Sequence, residues 1–522
     1  MKNTIKNYFI ALFLLGAAFS CNPDESVTPA EELVGTGAFI GESCDCPDPV
    51  NRTAVVIGNQ NGGDFFITSD VTWTCNNTYI LRGKVRVKDG ATLTIEPGTI
   101  VKGNSPLDKV LDRDKAGFLV ITKTGAINAE GTCDCPIVFT SRKSRGNRAR
   151  GDWGGLLLAG NGLVTVSNGS GVSNLEGFLA GEEQVPYGGD NSVIAPLSAM
   201  SFVRIEFAGI DVSGGGGNET NSLTMGGIQR NVYTVMDHIQ VSEGGDDGFE
   251  WFGGDVDMKY LYSFKGTDDD FDLDQGYAGR VQFGVALRAR TLADNSQSNG
   301  FESDGIISSS SCDFIPGNGG ATTTASFSNI TGIGSINNAT NPTPWPLLPS
   351  ALPATFGAAI HIREGSNMKL ANSLLGGWPT AIRMSNEPTF DNFNANPMFV
   401  RNLLTAETQF VLDGCGTINT VAAQEARYNF LKNGYVPAKG RVFAVQFLGL
   451  NPEATKMTMP KMVPIAYKTQ VDFSQLDPWF TPTTYRGAFG PNDATAGWCS
   501  DTENNNPRWM EFNPNNAEYG TN

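Results

Sequence analysis

Histidine is almost missing from this chain: His238 and His361 are the only two in 522 residues. A His-rich zinc centre or a Ser-His-Asp triad therefore has little to be built from. No stretch sustains a helical period, so the chain reads as strands and turns. Beyond the first twenty residues no apolar run is long enough to cross a bilayer. Positive charge is also scarce: 37 Lys and Arg stand against 54 Asp and Glu, for a net charge of −17. Such a chain is a poor partner for nucleic acid and has no electrostatic pull toward an anionic membrane. It suits cations, or neutral glycans held on aromatic side chains.

What is abundant is glycine, 62 residues in all, and a phrase that repeats. G-D-D-G-F-E-W-F-G-G (245–254), T-D-D-D-F-D-L-D-Q-G (267–276) and S-N-G-F-E-S-D-G (298–305) superpose on Phe249, Phe271 and Phe301, at offsets of 22 and 30 residues. A fixed period of this size signals a solenoid. Twenty-two residues make one coil of a parallel β-helix, three short strands and three turns; the longer offset is a coil with an inserted loop. Alternation along each strand sends Phe249 and Trp251 one way and Glu250 and Phe252 the other. Stacked coils then place Phe249, Phe271 and Phe301 in an inner ladder, and Glu250, Asp272 and Glu302 in an outer, exposed row.

Rungs about 4.8 Å apart bring like charges close. Their repulsion is about 1 kcal/mol in water and about 3–4 kcal/mol at an effective dielectric near 20. A column of acids is costly unless it is solvated, protonated or shared by a cation. Asp246, Asp247, Glu250, Asp268, Asp269, Asp270, Asp272, Asp274, Glu302 and Asp304 together offer the hard oxygens Ca²⁺ prefers, six to eight per ion; Asp255 and Asp257 flank them. The alternative is a solvated row of turns in which each Asp bonds its own backbone. Lys265, Arg280, Arg288 and Arg290 lie nearby in sequence; the first three are candidate ligand-binding cations.

The N-terminus reads as a targeting segment. Lys2 and Lys6 precede an apolar run from Tyr8 to Phe19, and Ala18-Phe19-Ser20-Cys21 resembles a bacterial lipobox, with Ala18 where Leu is usual. The resemblance implies cleavage after residue 20 and lipidation of Cys21, an anchor strengthened by about 0.8 kcal/mol per buried CH₂. The acidic stretch that follows resembles a surface-export tag. Residues 21–52 read as a tether, 53–448 as the solenoid and 449–522 as a segment covering its last coil. Besides Cys21, eight cysteines remain. An even number in an exported chain favours disulfides over a thiolate metal site at the two C-D-C-P motifs, with the pairing open.

Strand signals bounded by Gly, Pro, Asn or Asp run from A-V-V-I (54–57) through D-W-G-G-L (152–156). F-V-R-I-E-F-A-G, M-D-H-I-Q-V-S-E-G and M-K-Y-L-Y-S-F-K-G (202–209, 236–244, 258–266) share one phrase, and A-A-I-H-I-R-E (358–364) and T-A-I-R-M (380–384) resume the coils. The block 79–160 resembles the early coils of secreted right-handed β-helix proteins, pectin-lyase-like solenoids. With the central repeats and the final Y-R-G-A-F, the chain resembles a group of Bacteroidota outer-surface or secreted β-helix lipoproteins, distantly similar to a leptospiral outer-membrane lipoprotein. The likeness covers residues 75–500. It implies an all-β, right-handed parallel β-helix on the outer membrane, facing outward, and no particular chemistry.

The leading expectation is a non-catalytic surface protein that binds a glycan or a partner protein, with Ca²⁺ rigidifying the central coils. A Ca²⁺-dependent polysaccharide lyase or a glycosidase working with paired carboxylates is the enzyme alternative. An adhesin or structural stalk is the third. The basic run R-K-S-R-G-N-R-A-R (142–150) is either a grip for anionic phosphate or a solvated loop. Trp345, Trp378, Trp479, Phe480 and Trp498 are either sugar-stacking platforms or core.

Overall fold

Short strands rich in Val, Ile, Leu and Phe, many of them ended by a glycine turn, wind into a parallel β-helix. The computed structural model describes residues 44–305, 322–334, 356–413, 438–439, 471–490, 497–499 and 508–520, with breaks at 60, 107–114, 167, 194–195, 197, 214–217, 232–233, 290–291, 386, 396–398 and 407–408. Every pairing between successive coils is parallel. The coil has three faces. The first runs through Val71–Trp73, Thr92–Ile95 and Ala126–Glu130. The second runs through Thr53–Gly58, Asn77–Arg82, Ile100–Gly103 and Ile137–Ser141. From Ala199–Glu206 onward these two faces are the two halves of one bent strand. The third face stacks Asp64–Ile67 through Gln409–Asp413.

The bend between the first two faces has a local cause. Phe202, His238, Tyr260, Phe283, Asn329 and Asn372 occupy it in successive coils, with φ between 50° and 63°. The register skips there: Ser201 pairs with Asp237, and Val203 with Ile239. The left-handed conformation costs about 1–2 kcal/mol for a residue with a Cβ. Stacking offsets that cost. Phe202 and His238 lie 4.2 Å apart, His238 and Tyr260 4.5 Å, and Tyr260 and Phe283 5.0 Å, all stacked with nearly parallel planes. Asparagine tolerates the conformation better and takes the next two rungs, and Arg401, at φ 57°, follows Asn372.

The expected inner ladder forms. Phe249 pairs with Phe271, and Phe271 with Phe301, their rings 5.7 and 5.0 Å apart. The ladder continues upward to Leu223 and downward to Ile360 and Ile382. All of these side chains are buried, and each contributes about 1.5–3 kcal/mol by leaving water. Glycine is required where rungs turn. Gly254 has φ +73°, and a Cβ there would stand 2.4 Å from the Ile228 carbonyl oxygen.

Two boundaries differ from the expected ones. The stretch before residue 53 is fastened from Cys44 on: Cys44 bonds Cys135, Cys46 bonds Cys75, and the Arg52 guanidinium donates to the Pro47 and Gly98 carbonyls. The C-D-C-P cysteines are thus disulfide partners. The leader, Cys21, Cys312, Cys415 and 449–470 lie outside the described residues. The described parts of the C-terminal segment run along the flank of the solenoid instead of over its last coil. Asp472 bonds Asn372, Thr481 bonds Gln282, Glu511 bonds Gln240, and Gly520 accepts from Lys102. The segment therefore travels back toward the first coils. Its seat is apolar, with Ala488, Phe489, Trp498, Trp509 and Met510 packed on Tyr262, Phe264, Phe283 and Val285. Cys133–Cys499 closes the connection across 366 residues. The basic run 142–150 belongs to this seat: Arg148 is buried, donating to the Pro514 and Ala517 carbonyls beneath the Tyr519 ring.

Candidate functional site

Outward positions of the third face make the second column. Reading down the coils it runs Val120, Leu157, Thr224, Glu250, Asp272, Glu302, His361, Arg383. Three acids on consecutive rungs are followed by two basic residues. The offset of 59 residues between Glu302 and His361 hides this continuation, because the sequence between them carries no copy of the repeated phrase. A neighbouring outward column pairs Phe252 with Asp274, and Asp304 with Arg363.

The acidic row lies outside the coil, as expected, but it is not exposed. Asp247, Glu250, Asp269 and Asp270 are buried and the others are half-buried. Insertions between coils cover them. Val164, Leu175, Phe178 and Tyr187 pack over Phe252. Asn221 donates its amide to Glu250, Asn299 donates backbone and side-chain N–H groups to Asp269, and Ser296 donates to Asp268. Covering the row removes the water that would have screened it, so the repulsion sits at the upper end of its range.

Cations balance only part of the cluster. Glu302 meets the His361 ring at 2.8 Å and Arg363 at 3.2 Å; Arg363 also clamps Asp304. Burial pushes Glu302 up, but Arg363 and His361 overcome it and hold the carboxyl at about 2. Asp270 pairs with Arg288 at 3.2 Å, both fully buried. The other seven, Asp246, Asp247, Glu250, Asp268, Asp269, Asp272 and Asp274, have no cation within ion-pair distance among the described residues. Burial, then the neighbouring carboxylates, push Asp246, Asp247, Glu250, Asp269, Asp272 and Asp274 well above the usual carboxylate range. Asp268 is raised to about 6, chiefly by burial. Glu219 and Glu176, from the covering insertions, add like charge against Asp246.

Two sets of oxygens converge within this group. Asp246, Asp247 and Asp268 offer ligand atoms within 4.8 Å of one another, and so do Asp247, Glu250 and Asp272. Oxygens on opposite sides of one Ca²⁺, each at 2.3–2.6 Å, lie about that far apart. The sets share Asp247. Each also contains a buried oxygen that meets no donor, Asp268 Oδ1 in one and Asp272 Oδ1 in the other. The donor chemistry fits a hard divalent cation, with the remaining ligands drawn from backbone carbonyls and water.

Of the three candidate cations, Arg288 alone pairs with an acid of the cluster. Arg288 is wholly internal, donating to the Asp268, Thr267, Gly266 and Asn299 carbonyls as well as to Asp270. It fixes the turn that presents the acids. Lys265 reaches Glu243 at 3.9 Å. Arg280 belongs to the first face, where it joins Arg230 on Asp257; Asp257 is thereby occupied and does not flank the cluster. Arg290 and Trp345 lie outside the described residues. Trp378, Phe480 and Trp498 are buried, and Trp479 alone of the remaining named aromatics is half-buried. His238 is sandwiched between Phe202 and Tyr260, with its ring nitrogens on Asp237 and the Gly497 carbonyl.

No curated protein and no solved structure matches the chain. One family model does: that of the pectate-lyase-like beta helix domain, over residues 65–434. That span takes in the three-faced coil, the inner ring ladder and every acid of the cluster, and the chain belongs to the pectate-lyase-like β-helix domain family.

Proposed function

We propose that this is a non-catalytic surface protein that binds an acidic glycan, with Ca²⁺ held by the covered acidic rungs. The observation that carries the reading is the set of seven carboxylates that meet no cation among the described residues, two of which keep a buried oxygen with no donor. Removing such groups from water is unfavourable unless something positive joins them. A divalent cation meets that need and also bridges to a glycan carboxylate. The location is proposed from the leader: lipid on Cys21 would tether the coil to the outer membrane, facing outward, where a glycan or a surface protein is the partner.

One observation favours the lyase alternative. Arg383 ends the acidic column two rungs beyond Glu302; burial holds its guanidinium below the usual range, and its Nε meets no acceptor. Its Nη1 donates to the Gln297 side chain, which leaves this guanidinium at the end of the acid column as the candidate base of that alternative. Incubating the whole protein with a panel of acidic polysaccharides in Ca²⁺ separates the readings. Retention on a glycan gel without cleavage is expected; new unsaturated ends, lost in Arg383→Ala, would establish the lyase instead.

A further inference from the structure

Seating the C-terminal segment uses only part of the basic run 142–150. Arg148 lies beneath that segment, Arg150 pairs with Glu243, and Lys143 donates to Asp152 at 2.6 Å. Arg142 is left over, and the register sets it in line with a second arginine. Leu81 pairs with Gly103 and Gly103 with Ser141. The next backbone bonds, from Asn104 to the Leu81 carbonyl and from Arg142 to the Gly103 carbonyl, carry the register one residue on. Leu81 points into the core, so alternation turns Arg82, Asn104 and Arg142 outward in one column at the end of the second face. Gly58, which pairs with Arg82 in the preceding coil, adds no side chain to the column.

The two guanidinium groups have no acid. Arg142 Nη1 donates to Asn104 Oδ1 at 2.8 Å, and Asn104 Nδ2 donates to the Lys115 carbonyl at 2.7 Å. Arg142 is thus held by one nitrogen, with the rest of its fork open. Arg82 meets no side-chain partner among the described residues. Both arginines are half-buried. Burial, then the Arg82 charge, hold the Arg142 guanidinium below its usual range. Asp152 does not compensate them: it is fully buried and taken by the Ser141 hydroxyl, the Ala149 N–H and Lys143. In a chain of net charge −17, this column carries an excess of positive charge. Two rungs separate the arginines by about 10 Å at their Cα atoms. Forks on opposite sides of a gap call for an anion with oxygens on both sides. A carboxylate presents its two oxygens to one fork, whereas a phosphate monoester has three oxygens and serves both.

We propose that Arg82 and Arg142 together bind the phosphate of a phosphate monoester. The test uses the full chain carrying Cys21→Ser, which keeps acyl chains out of the measurement, in excess chelator so that no Ca²⁺ bridges to phosphate. Glycerol 3-phosphate is titrated by calorimetry, with inorganic phosphate as competitor and galacturonate as the carboxylate control. Saturable binding of glycerol 3-phosphate is expected, about tenfold or more tighter than galacturonate. Arg82→Gln and Arg142→Gln should each weaken it about tenfold, and the double variant should abolish it with the circular dichroism unchanged. Retention on phosphatidylcholine vesicles only when they contain phosphatidic acid, lost in the double variant, would assign the phosphate to a lipid headgroup. Binding of glycerol 3-phosphate without that retention would assign it to a soluble ester. Asp247→Asn should leave binding intact, which separates this column from the acidic rungs whatever becomes of the calcium reading. No binding in either arm, equal binding of galacturonate, or binding unchanged in the double variant would each overturn the proposal.

Discussion

Two flanks of the same solenoid finish their outward polar groups in opposite ways. On the flank that carries the C-terminal segment, the protein supplies the partner itself. Gln240, Gln282 and Asn372 each bond the backbone of a single residue in that segment through both ends of the amide, standing in for a neighbouring strand. On the acidic flank cationic partners come from the next coils for Glu302 and Asp304 and from Arg288 for Asp270; among the described residues the other seven carboxylates have no cation, although Glu250, Asp268 and Asp269 accept hydrogen bonds. Register explains the difference. Gln240, Gln282 and Asn372 come from three different columns and meet the segment one by one as it crosses them, whereas carboxylates on successive rungs of one column build a deficit of positive charge. The first is structure completed within the chain. The second is unfavourable as it stands and points to a ligand.

The comparison breaks most severely where single links are cut. Cys499→Ser opens a loop of 366 residues, for which chain entropy predicts about 5–6 kcal/mol; thermal unfolding should shift downward by several degrees, and Cys133→Ser should match it. Arg288→Met should come next. It strands Asp270 in a fully buried site, at about 3–5 kcal/mol by denaturant unfolding, with Ca²⁺ binding weakened because the turn bearing Asp268 and Asp269 loses its anchor.

Smaller effects sharpen the contrast. Gln282→Ala should cost about 1–3 kcal/mol, since the Thr481 backbone groups lose their partner; limited proteolysis should then cut the C-terminal segment first. The acidic flank should respond to pH in the opposite sense to an ordinary protein surface. Its carboxyls have folded-state pKa values raised above the unfolded value of about 4. Their contribution is full below that pH and lost as pH rises through the folded values, about 6 for Asp268. Metal-free protein should therefore melt higher in mild acid than at neutrality, and Ca²⁺ should remove the difference. Glu302 runs the other way: held at about 2, it stabilises above about 4.3 and loses that contribution as pH falls toward 2. Glu302→Gln should flatten the acid limb of the melting curve.

Much of this was legible in the sequence where the repeat is regular. Phe249, Phe271 and Phe301 align because two adjacent offsets differ only by one short insertion, and the acids beside them follow from strand alternation. The continuation to His361 and Arg383 was not legible, since the sequence between Asp304 and Ala358 carries no copy of the repeated phrase. The covering of the row was missed for a related reason: insertions such as 161–190 carry no repeat, and their apolar residues give no sign of what they lie against. The bend column was hidden by residue type, because Phe, His and Tyr are poor indicators of a left-handed backbone. The return of the C-terminal segment rests on contacts separated by hundreds of residues, including a disulfide whose pairing spacing cannot reveal.

Calorimetric titration of the chelator-treated protein with Ca²⁺ at neutral pH tests the acidic flank most directly. A saturable heat, a higher melting temperature with Ca²⁺ than with chelator, and loss of both in Asp247→Asn are the expected results, because both oxygen sets use Asp247. No heat, together with one melting temperature in Ca²⁺ and in chelator, would contradict the presence of a cation among these rungs.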